Sequence, residues 1–85
     1  MEEKIIVCTK IHTKEDLHRI FREVLSFPAC YGNNLDALHD CLTSISEKTH
    51  LILQNWASAA SFAKGFKFVF DDAETENPNL FITIQ

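Results

Sequence analysis

Asp36 and Asp40 stand four positions apart in the stretch Tyr31-Gly32-Asn33-Asn34-Leu35-Asp36-Ala37-Leu38-His39-Asp40-Cys41-Leu42. That spacing puts both carboxylates on one side of a helix. Asn34 is a favoured N-cap residue, since its side-chain oxygen can take a free amide of the first turn, so the spacing predicts a helix from Leu35 to about Thr43. Leu35, Leu38, Leu42 and Ile45 then fall on an inner face, while Asp36, His39, Asp40 and Thr43 share an outer one. Like charges at i, i+4 cost an isolated helix roughly 0.2–0.5 kcal/mol, offset in part by the dipole near the N-terminus. Such a pair either is a solvated face or offers fixed acceptors to a cationic partner.

Other residue types that carry chemistry are sparse. The three cysteines, Cys8, Cys30 and Cys41, are an odd number with no C-x2-C spacing, and no H-x3-H pair accompanies them, so neither a disulfide framework nor a zinc site is expected. No other cofactor is expected either. A thiol hydrolase built on Cys30 would need His39 to approach in space. His39, between Asp36 and Asp40, either makes binding depend on pH near neutrality or is a surface residue without a role. Gly32 is expected to supply a left-handed turn or room for a partner. No glycine-rich phosphate loop is present.

The whole chain, 85 residues with 46 % hydrophobic side chains, two Gly and two Pro, reads as one domain over residues 1–85. A net charge of −4 weighs against direct binding to nucleic acid or an anionic membrane. The acids are also segregated. No Lys or Arg lies between Arg22 and Lys48, where Asp36, Asp40 and Glu47 occur, and none follows Lys67, after which come Asp71, Asp72, Glu74 and Glu76. Reduced cysteines fit a cytosol, and the run Ile5 to Cys8 is too short for a signal peptide's apolar core or a bilayer span. A cytoplasmic protein without export is expected.

The elements that must position the acidic face follow from periodicity. Ile5-Ile6-Val7-Cys8 reads as a strand buried on both faces. Thr13 caps a helix carrying Leu17, Ile20, Phe21, Val24 and Leu25, which Pro28 ends. Ser44 to His50 is a connection, and Leu51-Ile52-Leu53 a second strand. Trp56 to Phe62 suits a short helix capped by Asn55, and Phe66, Val69, Phe70 and Ala73 stripe a further helix to about Thr75. Gly65 either separates these two or lies within one. Glu76 to Asn79 forms a turn, and Leu80 to Ile84 the last strand. Strands separated by helices require crossovers, hence an α/β fold with a small three-stranded parallel sheet packed by three to four helices.

Tyr31 through Leu42 resembles the signature of the barstar family of bacterial ribonuclease inhibitors. Leu17-His18, Phe27-Pro28, the helix bearing Val69-Phe70-Asp71-Asp72-Ala73 and the strand Phe81-Ile82-Thr83-Ile84 follow the family's order. The resemblance implies the same fold, though the family's third helix is longer than Trp56 to Phe62 allows. It also implies a protein that is no enzyme, and that inserts this helix and its preceding loop into the cationic cleft of a secreted or toxin-type ribonuclease. Asp40 then substitutes for the RNA phosphate, with Asp36 in support. Asn34, Gly32 and Thr43 belong to the same surface, Tyr31 is either a half-buried support with its hydroxyl satisfied or an interface aromatic in partial contact, and Asp72 and the more peripheral Glu76 align with acids of the last helix. Asp71 and Glu74 read as solvated. Cys30 and His39 replace two aromatics of the family pattern, which leaves open a different basic partner, such as another toxin domain.

Overall fold

The computed structural model describes residues 1–85. Its elements run β1 (Glu2–Val7), a 3-10 turn (Cys8–Lys10), α1 (Lys14–Val24), α2 (Leu35–Thr43), β2 (Thr49–Gln54), a second 3-10 turn (Trp56–Ser58), α3 (Lys64–Glu76) and β3 (Leu80–Ile84). The strands form one parallel sheet in the order β1-β2-β3. The α/β expectation therefore holds, with three α-helices.

Because the strands are laid down in sequence order, both crossovers advance in the same direction, and right-handed connections then place every helix on the same face of the sheet. Ile6, Leu51, Leu53 and Leu80 point into that face and are almost fully buried against Leu17, Phe21, Leu38, Leu42, Phe66 and Phe70. The opposite face is uncovered. Ile5 and Val7 are 50 % and 48 % exposed, so β1 is not the doubly buried strand that its apolar run suggested. It is an edge strand with one covered side.

Each helix end has an identifiable cause. Thr13 caps α1 by accepting the Asp16 N–H at 3.1 Å. At the other end Ser26 adopts a left-handed conformation (φ 57°) and the Phe27 N–H reaches back to the Arg22 carbonyl at 2.9 Å, a Schellman-type stop. The stop thus precedes Pro28, which was expected to end the helix. Between Trp56 and Phe62 the chain makes a 3-10 turn and further turns. Asn55 precedes them with φ 58° and makes no side-chain cap.

Gly65 lies inside α3, in its first turn, and the reason is packing. A Cβ there would stand 2.8 Å from Leu35 Cδ1, so glycine lets the start of α3 close onto the start of α2. At the other end Asn77, 4 % exposed, donates its amide to the carbonyls of Leu42 (2.9 Å) and Ile45 (3.0 Å). Its own oxygen accepts the Asn79 N–H at 3.0 Å. The two helices therefore run side by side in the same direction, pinned at both ends.

Candidate partner-binding face

Asn34 does cap α2. Its Oδ1 accepts the Ala37 N–H at 2.8 Å, while its Nδ2 folds back to the Gly32 carbonyl at 3.3 Å. That return explains Gly32 differently from the expectation. The left-handed residue of the loop is Asn33 (φ 52°), and no glycine has a positive φ. A Cβ on Gly32 would instead meet Asn34 Nδ2 at 3.0 Å. Glycine is there so that the cap can close over it.

With α2 fixed, Leu38 and Leu42 are fully buried, and Leu35, Cys41 and Ile45 pack at the edge of the core. Asp36 and Asp40 are exposed. Neither forms an ion pair with a lysine, arginine or histidine of this molecule, and no hydrogen bond reaches either carboxylate. His39, between them, places Nε2 2.9 Å from Glu76 Oε2 at the end of α3. Asp72 precedes Glu76 by one turn on the same stripe of α3 and is exposed. Because α2 and α3 are parallel, it stands beside the Asp36 to His39 stretch. Four acids and one imidazole thus share a single side of the α2–α3 pair.

The remaining predicted residues divide between this surface and its support. Tyr31 is only 6 % exposed, and its hydroxyl is 2.5 Å from His18 Nδ1. Its ring also packs 5.1 Å from that of Phe27. It therefore holds the loop from behind rather than presenting its hydroxyl, and burial pushes its phenol pKa well above the ordinary value. Thr43 turns its hydroxyl back to donate to the His39 and Asp40 carbonyls at 2.8 and 3.1 Å. Cys30 is exposed in the loop. The Cys41 thiol pKa is raised by burial, then by the nearby Asp40 and Cys30. His39 pairs with Glu76 rather than with a thiol.

Of the two acids read as solvated, Glu74 is not, whereas Asp71 is exposed. Glu74 accepts the backbone N–H of Ile82 at 2.8 Å, covering an outward donor of the edge strand β3. Asp71 lies 3.9 Å from Lys67, one turn before it. Asn77, which sequence reasoning passed over as a turn residue, fixes the C-terminal end of α2. Its Asn-Pro context marked a turn, but nothing local shows that its amide reaches 35 residues back.

The family described as "Barstar (barnase inhibitor)" matches residues 1–84. The chain belongs to the barstar family. A Bacillus subtilis (strain 168) protein described as "Putative ribonuclease inhibitor YrdF" is 43 % identical over 49 residues. That match covers 56 % of this chain and 54 % of the relative, so the chain spans about half the length of the curated relative. Barstar membership accounts for the three-stranded parallel sheet with helices on one face. No helix here is long and apolar enough to cross a membrane.

Proposed function

We propose that this barstar-family protein is a cytoplasmic inhibitor that blocks the active site of a basic, barnase-type ribonuclease through α2 and its preceding loop, without chemistry of its own. The observation that carries this reading is the state of Asp36 and Asp40: exposed, unpaired, and fixed on a helix capped by Asn34 and clamped by Asn77. A ribonuclease must hold its phosphodiester with cationic donors. A rigid carboxylate presented at that position meets charge-assisted hydrogen bonds already arranged for an anion. Asp40 is the phosphate substitute and Asp36 its support, while Asp72 and Glu76 extend the negative field that speeds encounter.

The backbone around Gly32 and Asn34 brings the loop level with the helix, where Cys30, His39 and Thr43 form the rest of the contact. Inhibition protects a cell that makes such an enzyme before the enzyme is exported. The exposed Cys30 and the Glu76-bound His39 stand where the family pattern has aromatics, and they favour as a second reading a different basic partner, such as another toxin domain.

The test is titration of the protein into a barnase-type ribonuclease while RNA cleavage is followed at low and high salt. Stoichiometric inhibition is expected, with association slowed by salt. Truncating one member of a buried charge pair costs about 2–5 kcal/mol, so Asp40→Ala should raise the inhibition constant at least about 30-fold. An Asp40→Ala protein that inhibits as well as the parent removes the role assigned to this residue.

A further inference from the structure

Phe68 is the anomaly of α3. It is 74 % exposed, whereas every other exposed large apolar side chain (Met1, Ile5, Val7, Phe81 and Ile84) lies in a strand or directly before one. Phe68 forms one wall of the largest concavity of the molecule, about 490 Å³, which Trp56, Ala60, Lys64, Lys67 and Asp71 complete. We propose that this pocket binds a nucleoside monophosphate, its base against Phe68 and Trp56 and its phosphate on Lys64 and Lys67. No residue of α2 or its preceding loop lines the pocket, so the site is separate from the face assigned to the ribonuclease.

Size and lining set the class of ligand. The volume falls within the range of about 300–1,000 Å³ found for small-molecule sites, which combine apolar and aromatic walls with a few placed polar groups. A protein partner needs about 800 Å² of surface on each side, and Phe68 is the one large apolar side chain exposed away from the sheet. A single aromatic anchor suits a single planar ring, and nucleobases of any kind stack on aromatic side chains. The second aromatic wall is fixed in advance. Trp56, 8 % exposed, holds its ring against that of Phe70 with centroids 5.5 Å apart, and its backbone N–H donates to the Gln85 carbonyl at 3.1 Å. A wall already in place does not have to be ordered when the ligand arrives.

Charge sets the rest. The chain carries a net −4, yet Lys64 and Lys67 are its only Lys or Arg residues beyond Lys48, and both line this pocket. Three positions apart on α3, they are neighbours that repel one another and gain by sharing an anion. Lys64 forms no ion pair, and Lys67 has only a 3.9 Å approach to Asp71, with both of those side chains more than half exposed. An exposed pair of this kind is weakly held, and a phosphate, with its greater charge and three acceptor oxygens, competes with the Asp71 carboxylate for the ammonium. A cationic ring would meet two like charges here, and a neutral one would leave both lysines unused.

Trp56 is the only tryptophan of the chain, so its fluorescence reads the pocket directly. The full chain is to be titrated with adenosine monophosphate, adenosine and inorganic phosphate, as the parent, as Phe68→Ser and as the Lys64→Gln/Lys67→Gln pair, with circular dichroism confirming each fold. All three substituted side chains are exposed, so the fold should be kept. The parent is expected to bind adenosine monophosphate saturably with a Kd below about 1 mM, and adenosine or phosphate alone at least about tenfold more weakly. Phe68→Ser should raise the Kd for the nucleotide about tenfold, the loss expected for a stacked base. The lysine pair variant should bind the nucleotide no better than it binds adenosine. Absence of saturable binding, or a Phe68→Ser protein within about twofold of the parent, would overturn the site. So would phosphate binding as tightly as the nucleotide, which would reduce the pocket to two surface lysines.

Discussion

Asn77→Ala should be the most damaging single polar substitution in this protein, and the structure gives its size. The side chain makes three hydrogen bonds at 2.9–3.0 Å while 4 % exposed. Each is worth a net of about 0.5–1.5 kcal/mol, and a buried group left without a partner costs about 1–3. The Leu42 carbonyl keeps a long bond from the Ile45 N–H at 3.5 Å, so the loss there is partial. Allowing for this, we expect about 2–3 kcal/mol. Domains of this size are stable by roughly 0.05–0.15 kcal/mol per residue, and 1 kcal/mol shifts Tm by about 4–8 °C. The substitution should therefore lower Tm by roughly 10–20 °C. Urea denaturation should show an unchanged m-value and a lower midpoint. Asn77→Asp separates the causes, because aspartate retains the acceptor for Asn79 but faces two carbonyls with no donor, and it should be at least as destabilising. A cost below about 0.5 kcal/mol for Asn77→Ala would mean that the clamp between α2 and the α3–β3 turn does not hold them.

Three further outcomes are expected. Gly65→Ala brings a Cβ to 2.8 Å from Leu35 Cδ1, the free end of a half-buried side chain, so displacing that methyl should largely cancel the gain of up to about 1 kcal/mol in helix propensity; in a Leu35→Ala background the gain should appear, and strict additivity in denaturation would contradict this account. Asn34→Ala should cost about 1 kcal/mol through the lost cap, read as a lower urea midpoint and fraying of α2 in amide exchange. His18 is 4 % exposed, and burial lowers its pKa despite the raising effect of Glu15. Its unfolded form binds the proton more readily, so stability is complete above about pH 6.5 and falls below it, towards the folded pKa, by at most about 1.4 kcal/mol per pH unit. His18→Asn, which offers Tyr31 a polar atom without titrating, should flatten that part of the pH–stability curve, and an unchanged curve would place the titration elsewhere.

What the chain reveals by itself is what depends on near neighbours. The bounds of α2 follow from Asn34 and from apolar spacing, since cap and periodicity both act within one or two turns; Thr13 and α1 follow likewise. Other features required knowledge of distant partners. Ile5-Ile6-Val7-Cys8 shows that a strand forms, but whether one or both faces are covered depends on the direction of two crossovers. Gly32 looked like a left-handed turn residue, whereas the positive φ fell on its neighbour Asn33 and the glycine made room for the Asn34 amide. Gly65 is a poor helix residue by propensity, and only the approach of Leu35 explains it.

The α2–α3 side is stiffened by neutral contacts behind it rather than by charge pairs across it. The Asn34 cap, the Asn77 clamp and the Gly65 contact fix the helices, while Tyr31 and His18 fix the loop. Meanwhile Lys4, Arg19 and Lys67 find their acids elsewhere on the molecule, at Glu2, Asp16 and Asp71. This division has an energetic consequence for any basic partner. A carboxylate already committed to an internal cation must first give up that pairing, whereas Asp36 and Asp40 lose only water when they bind, and their helix is already ordered. Glu76 is the exception, because its interaction with His39 must be shared or broken. In the proposed complex the central contact would therefore rest with Asp40 and Asp36, and Glu76 would tune it from the edge.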